Sequence, residues 1–259
     1  MMRSLLTAAT GMEAQQLNID TIANNLANVN TTAFKRSKAS FHDLLYQTLR
    51  APGQSATNGT TVPSGIQIGA GTKLSSVDKM FTEGSTQVTG NEFDFMVEGS
   101  GFFHIQRADG ESAYTRDGHF SKDNTGRLVT SDGFPVLPEI VIPPNGQNFH
   151  VGSDGTVTVK VGGETQEIGQ LTLTDFVNPT GLVSLGGNYY APSRGSGEPM
   201  VSTPGQNGVG RIAQSQLESS NVNIVEEMVN MITGQRAYEV NSKVITTGDQ
   251  ILQATNNIR

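Results

Sequence analysis

Apolar residues spaced seven apart at both ends of the chain, with a different texture between them, constrain the fold more than any other feature. Near the N-terminus Leu5, Met12, Ile19 and Leu26 recur at that interval, and Ala8, Ile22 and Val29 fill most of the intervening seam positions. From Ser4 to Asn30 there is no proline and one glycine, so nothing interrupts a helix of roughly four heptads. Toward the other end Leu217, Ile224, Met231, Tyr238, Ile245 and Leu252 also fall seven apart, and Met228, Ile232, Val244 and Ile251 widen the stripe. Ser219, Ser220 and Asn221 are candidate N-caps, followed by Glu226 and Glu227 where the helix dipole favours acids. A helix of this kind is about 40 Å long. That is too long to lie neatly over a small β domain, so the two terminal helices are expected to pair as an α-helical coiled coil.

Between the helices the periodicity drops to two, with turn residues at the joints. Candidate strands are Phe95–Val97, Phe102–Gln106, Ala113–Arg116, Arg127–Thr130, Pro135–Val136, Glu139–Ile142, Thr156–Val161, Glu167–Thr174 and Tyr189–Ala191. Asp109-Gly110, Asp117-Gly118, Asp132-Gly133 and Asp154-Gly155 mark turns. Short strands without intervening helices specify a central antiparallel all-β domain, so the fold class is α+β. Ala51–Gly71 is rich in Gly, Ser, Thr and Pro and reads as an extended connector. The expected division is 1–33 for the N-terminal helix, 34–84 for the connector with a 46–73 insertion, 85–205 for the β domain, and 206–259 for the return segment and C-terminal helix.

Charge and chemistry narrow the function. A net charge of −7 argues against a polyanionic partner, because phosphate contacts need clustered Lys and Arg. The absence of cysteine excludes disulfides, thiolate metal sites and a cysteine nucleophile. No apolar run approaches the ~18 residues of a membrane span, and the N-terminus lacks the apolar core of a cleaved secretory signal. The histidines at 42, 104, 119 and 150 have no metal-ligand spacing, although His104 and His119 could meet across a hairpin. Asp117, Asp123 and Asn124 near Gly126 superficially resemble a calcium loop with the wrong spacing, and a hairpin turn is the better reading. No catalytic residue, cofactor or metal is expected. An aromatic platform for sugar binding is poor, with no Trp and 5 Tyr, and a generic adhesin would not explain matched helices at both termini.

The helices also lack the charged flanks of a solvated coiled coil. Residues 1–30 carry only Arg3, Glu13 and Asp20 as charges, whereas Asn, Gln, Ser and Thr make up nearly a third of the whole chain. Neutral flanks suit helices enclosed by copies of themselves or lining a wet passage. The expected assembly interface is Leu5, Met12, Ile19, Ile22, Leu26 and Val29 at one end, with Ile224, Met228, Met231, Ile232, Tyr238, Ile245 and Leu252 at the other.

Ala23–Arg36, ANNLANVNTTAFKR, resembles the N-terminal signature of the bacterial flagellar axial proteins, the rod and hook family. Ser220–Ile245, SNVNIVEEMVNMITGQRAYEVNSKVI, resembles the C-terminal signature, and Gly99–Pro138 resembles the β segment of the larger members. One departure is Ala33, where the family often carries Gly before the aromatic residue. Small proximal rod proteins lack the β domain and hook proteins are considerably longer. Tyr46–Lys73 looks like the extended insertion of one larger rod member, and a similarly sized proximal-rod paralogue, which matches this stretch less well, is the alternative reading. The resemblance implies a hollow helical driveshaft with the terminal helices as inner tube and the β domain outside. It further implies export by the flagellar secretion apparatus without a cleaved signal peptide, and residence in the periplasm-spanning rod of the basal body. The partners it implies are many helical copies of the chain itself, proximal rod proteins, the hook protein, and P-ring and L-ring proteins, with no nucleic acid and no membrane insertion.

Overall fold

A computed structural model describes residues 2–51 and 64–257. The chain divides into two compact units, one made of Met1–Ala27, Ser37–Lys79 and Asn223–Arg259, the other of Asn28–Arg36 and Met80–Val222. The helical unit holds α1 (Met2–Ala27) and α2 (Ile224–Asn257), which pack on each other. It also holds two antiparallel strand pairs, Ser37–Asp43 with Thr72–Lys79 and Tyr46–Arg50 with Ile66–Gly69. The connector is therefore extended where it is described and returns on itself as a hairpin. Residues 52–63 of that segment lie outside the described residues.

The cap of α2 differs from expectation. Asn223 Oδ1 accepts from Val225 N at 3.1 Å and Glu226 N at 3.4 Å, so the helix begins at Ile224 behind an asparagine cap. Ser219, Ser220 and Asn221 lie upstream of it, and Leu217 belongs to the strand Gln216–Glu218 rather than to the helix. The heptad spacing ran through Leu217 because a seven-residue interval between two apolar residues carries no record of the backbone between them.

The β unit is antiparallel throughout its described pairings. Its largest sheet runs Val183–Gly186, Tyr189–Ala191, Ser112–Thr115, Phe102–Gln106, Leu173–Asp175, Met200–Ser202, with Val136–Leu137 also pairing onto Phe102–Gln106. Both faces of this sheet are covered. Phe103 and Ile105 enter a core with Phe95, Phe120, Val157 and Leu171, while Phe102 turns to an aromatic cluster with Tyr114, Phe176 and Tyr190. Alternation along a strand sends successive side chains to opposite faces, and here both sides are apolar.

Two strand expectations change. Glu139–Ile142 is not a strand: Val141 makes one isolated bridge to Arg127, while Ile140 and Ile142 are buried in the core. Pro138, Pro143 and Pro144 flank the segment and offer no N–H to a ladder. Glu167–Thr174 divides into Glu164–Gln170 and Leu173–Asp175, which belong to different sheets. The break falls at buried Leu171, whose N–H donates to the Gly155 carbonyl at 2.7 Å. The four Asp-Gly turns also differ among themselves. Gly110, Gly133 and Gly155 are left-handed, but Gly118 is required for space, because a Cβ there would overlap the Phe95 carbonyl.

Candidate assembly interface

The α1–α2 seam is antiparallel and built on small residues. A Cβ at Gly248 would come within 2.7 Å of Leu5 Cδ2, and one at Gly234 within 3.2 Å of Ile19 Cγ1. Gly11 stands likewise against Asn241, 2.9 Å from its Nδ2 if a Cβ were added. Glu227, Gly234, Asn241 and Gly248 are themselves seven apart, so α2 presents a close-approach groove into which the long side chains of α1 fit. The last turn of α1 carries a polar clamp. Asn25 Nδ2 donates to the Ser37 carbonyl at 2.8 Å and lies 3.4 Å from Glu227 Oε2, and Ser37 N donates to Asn25 Oδ1 at 2.9 Å. Asn25 and Glu227 are both buried. One amide thus ties the end of α1, the first residue of a strand and the first turn of α2.

The candidate interface residues fall into three groups. On α1, Ile22 is buried and Leu5, Met12, Ile19 and Leu26 are half-buried; on α2, Met231, Ile245 and Leu252 are half-buried. Ile224, Met228, Ile232 and Tyr238 are exposed on α2, with Ile232 at 55%. Val29 lies beyond the end of α1, half-buried in the β unit. At about 100° per residue, Val225, Val229 and Ile232 lie opposite the glycine seam, and all three are exposed. In its first turns α2 is apolar on two opposed faces, and α1 covers one of them. The hairpin of Tyr46–Arg50 and Ile66–Gly69 repeats the pattern: Tyr46, Leu49, Ile66 and Ile68 are exposed, and neighbouring Leu45 is 90% exposed.

The β unit contains a cluster that sequence reasoning missed. Lys35, Arg116 and Glu218 are all buried. Glu218 accepts from Lys35 Nζ through one carboxylate oxygen, and Arg116 Nη1 donates to the other at 3.3 Å. Lys35 also donates to the Thr82 carbonyl at 2.8 Å, and Gly84 N donates to Glu218 at 2.9 Å. The Arg116 guanidinium donates to the Gly101 and Gly99 carbonyls and lies over the Phe102 ring. Burial pushes the Lys35 ammonium below its ordinary range, against the pull of the Glu218 carboxylate. Nearby, Ala33 adopts φ 55 and its N–H donates to the Glu218 carbonyl at 2.8 Å. The tight turn before Phe34 is therefore present with an alanine in the left-handed region, which costs roughly 1–2 kcal/mol relative to an unstrained backbone. Asn221 Oδ1 accepts from Arg36 N at 2.8 Å, and its Nδ2 donates to the Met80 carbonyl at 2.8 Å. The sequence offered little signal for this knot: Glu218 stands as a lone acid between Arg211 and Glu226, while Lys35 is one of three bases in Lys35–Lys38.

The histidines do structural work. His104 stacks on Tyr114 at 5.1 Å, and His119 Nδ1 lies 2.9 Å from Asp94 Oδ1. Asp123 closes a turn with Asn124, Thr125 and Gly126. Among the described residues no group of three or more His, Asp or Glu is placed to hold a metal ion, and no helix is long and apolar enough to cross a membrane.

Paired terminal helices with an uncovered apolar face, in a chain that also folds a separate compact β unit, define a subunit suited to assembly. Residues 5–35 match the description "Flagella basal body rod protein", 96–159 "Flagellar hook protein FlgE/F/G D1 domain", and 213–258 "Flagellar basal body rod FlgEFG protein C-terminal". The chain is 50% identical over 260 residues to the flagellar basal-body rod protein FlgG of Buchnera aphidicola subsp. Schizaphis graminum, covering 100% of both chains. It is 45% identical over 261 residues to that of Caulobacter vibrioides and 42% identical over 267 residues to that of Bacillus subtilis, again covering 100% of both chains. The chain belongs to the flagellar basal-body rod protein family and is a structural, non-enzymatic subunit of the rod, of the FlgG distal-rod type.

Proposed function

We propose that many copies of this chain assemble into a hollow helical distal rod that transmits torque toward the hook and conducts exported proteins. In this reading the paired helices form the inner tube, and the seam and stripe residues on α1 and α2 make the contacts within and between copies. Proximal rod proteins adjoin one end, the hook protein the other, and the P-ring and L-ring proteins surround the shaft. The observation that carries the reading is the second apolar face of α2: a helix apolar on two sides is at home only when both are covered. The exposed hairpin between Tyr46 and Gly69 supports a related role, since a two-stranded hairpin is marginal alone in water and gains stability by lying on a neighbour, where it would stiffen the shaft.

Ile232→Asp tests the reading. Covering an aliphatic side chain contributes roughly 1.5–3 kcal/mol, and an aspartate forced into the same contact adds its own desolvation cost. Cells carrying the variant should lack rods and fail to swim, while the purified chain keeps the tertiary signal of its β unit. Normal swimming would overturn the reading.

A further inference from the structure

A stripe that must be covered needs a partner surface, and symmetry restricts which surface that is. If the outer stripe of α2 met its own copy across a two-fold axis, the contact would close a dimer. An open helical shaft requires two unlike surfaces on each copy. The helical unit carries a second apolar surface that is concave. A groove of about 220 Å³ lies between α1 and the Ser37–Asp43/Thr72–Lys79 pair, with Ala14, Leu17, Leu44 and Leu74 in its wall. Glu13 and Lys73 are exposed at its edge, one charge of each sign. The α2 stripe is complementary in chemistry: aliphatic Val225, Val229 and Ile232 are followed along the same face by Arg236, Glu239 and Lys243. Its charges therefore have opposite-signed counterparts at the groove edge.

We infer that the outer stripe of α2 seats in the groove between α1 and the Ser37–Asp43/Thr72–Lys79 pair of the next copy, with Ile232 entering beside Leu17 and Glu239 meeting Lys73. This rests on the self-assembly proposed above and specifies which surfaces meet. The contact is heterologous: each copy offers a ridge on one side and a groove on another, so addition of copies never closes on a dimer.

The chain has no cysteine, so engineered pairs report contacts without background. Leu17→Cys, Ile232→Cys and the double variant are expressed in cells lacking their own copy, and purified basal bodies are treated with a short thiol cross-linker. The double variant should give a ladder of covalent oligomers, and each single variant only monomer. Dimers from Ile232→Cys alone would overturn the inference, because the stripe would then meet itself. So would a double variant that is incorporated normally yet gives no ladder, an outcome that leaves self-assembly standing. If the double variant is not incorporated, the exposed pair Lys73→Cys with Glu239→Cys decides by the same readout: a ladder supports the inference and its absence overturns it. If the cysteine-free parent chain does not enter basal bodies, the self-assembly reading and the inference fail together.

Discussion

The β unit and the helical unit solve the same problem in opposite ways. The β unit buries its aromatic and aliphatic side chains on both faces of its main sheet and even encloses charge, with Glu218 neutralised between Lys35 and Arg116. Among the described residues of the helical unit, buried side chains are few, and Ile22 is the one large apolar group, alongside Ala8, Ala14, Asn25 and Glu227. Its larger apolar groups stay wet along α2 and the Tyr46–Gly69 hairpin. A chain orders itself only where burial offsets the ~1–2 kcal/mol per residue of conformational entropy. The β unit meets that condition internally. On the assembly proposed above, the helical unit would meet it once neighbours complete its surface.

The widest contrast should appear on limited proteolysis of the isolated chain. α1 and α2 should be trimmed, since a lone or thinly packed helix is marginal in water, while the β unit survives with Lys35 and Glu218 still attached. Circular dichroism should gain helix on assembly. Equal protease resistance of both units would break the comparison and make the helices a self-contained stalk.

A smaller effect, confined to the β unit, follows from its buried charges. Glu218→Gln leaves Lys35 and Arg116 without their carboxylate and should destabilise that unit by about 3–5 kcal/mol, as for other buried pairs that lose one partner. Denaturant titration followed by tyrosine near-ultraviolet dichroism measures it; a midpoint within error of the parent would mean the cluster is hydrated and weak.

Alkali should sharpen the contrast further. Burial pushes the Tyr190 phenol up to about 12, against about 10 in the unfolded chain. A raised value means the native state holds its proton longer, so the contribution is complete below pH 10 and is lost as pH rises through about 12. Two pH units correspond to about 2–3 kcal/mol. Lys35 works with the opposite sign, because its lowered value makes native-state stability rise with pH up to about 10.5. The tyrosine loss is therefore read above that point. Tyr190→Phe should flatten the decline of the β unit between pH 10.5 and 12, and an unchanged slope would assign the loss to another group.

Much of the architecture was legible because it is local. Leu5, Met12, Ile19 and Leu26 define a helix by spacing alone, and Phe102–Gln106 and Thr156–Val161 define strands by alternation, each with bounds that match the structure. The misreadings arose where local pattern and backbone disagree: Glu139–Ile142 alternates but is fenced by prolines, and Leu217 keeps the heptad count from within a strand. The terminal signatures carried the family because they are long and occur in order.

What the tertiary structure decided is which surfaces are used. In its first turns α2 is apolar on two opposed faces, so periodicity cannot say which one α1 takes. The choice falls to Gly234 and Gly248, whose missing side chains let Ile19 and Leu5 approach. Nor could spacing pair Lys35 with Glu218, 183 positions apart, or assign Ala33 a left-handed turn held by the Glu218 carbonyl. Periodicity reports how a segment is divided between apolar and polar sides. The identity of the group on the other side is a property of the folded chain, set by close approach and by the cost of leaving a buried charge without its partner.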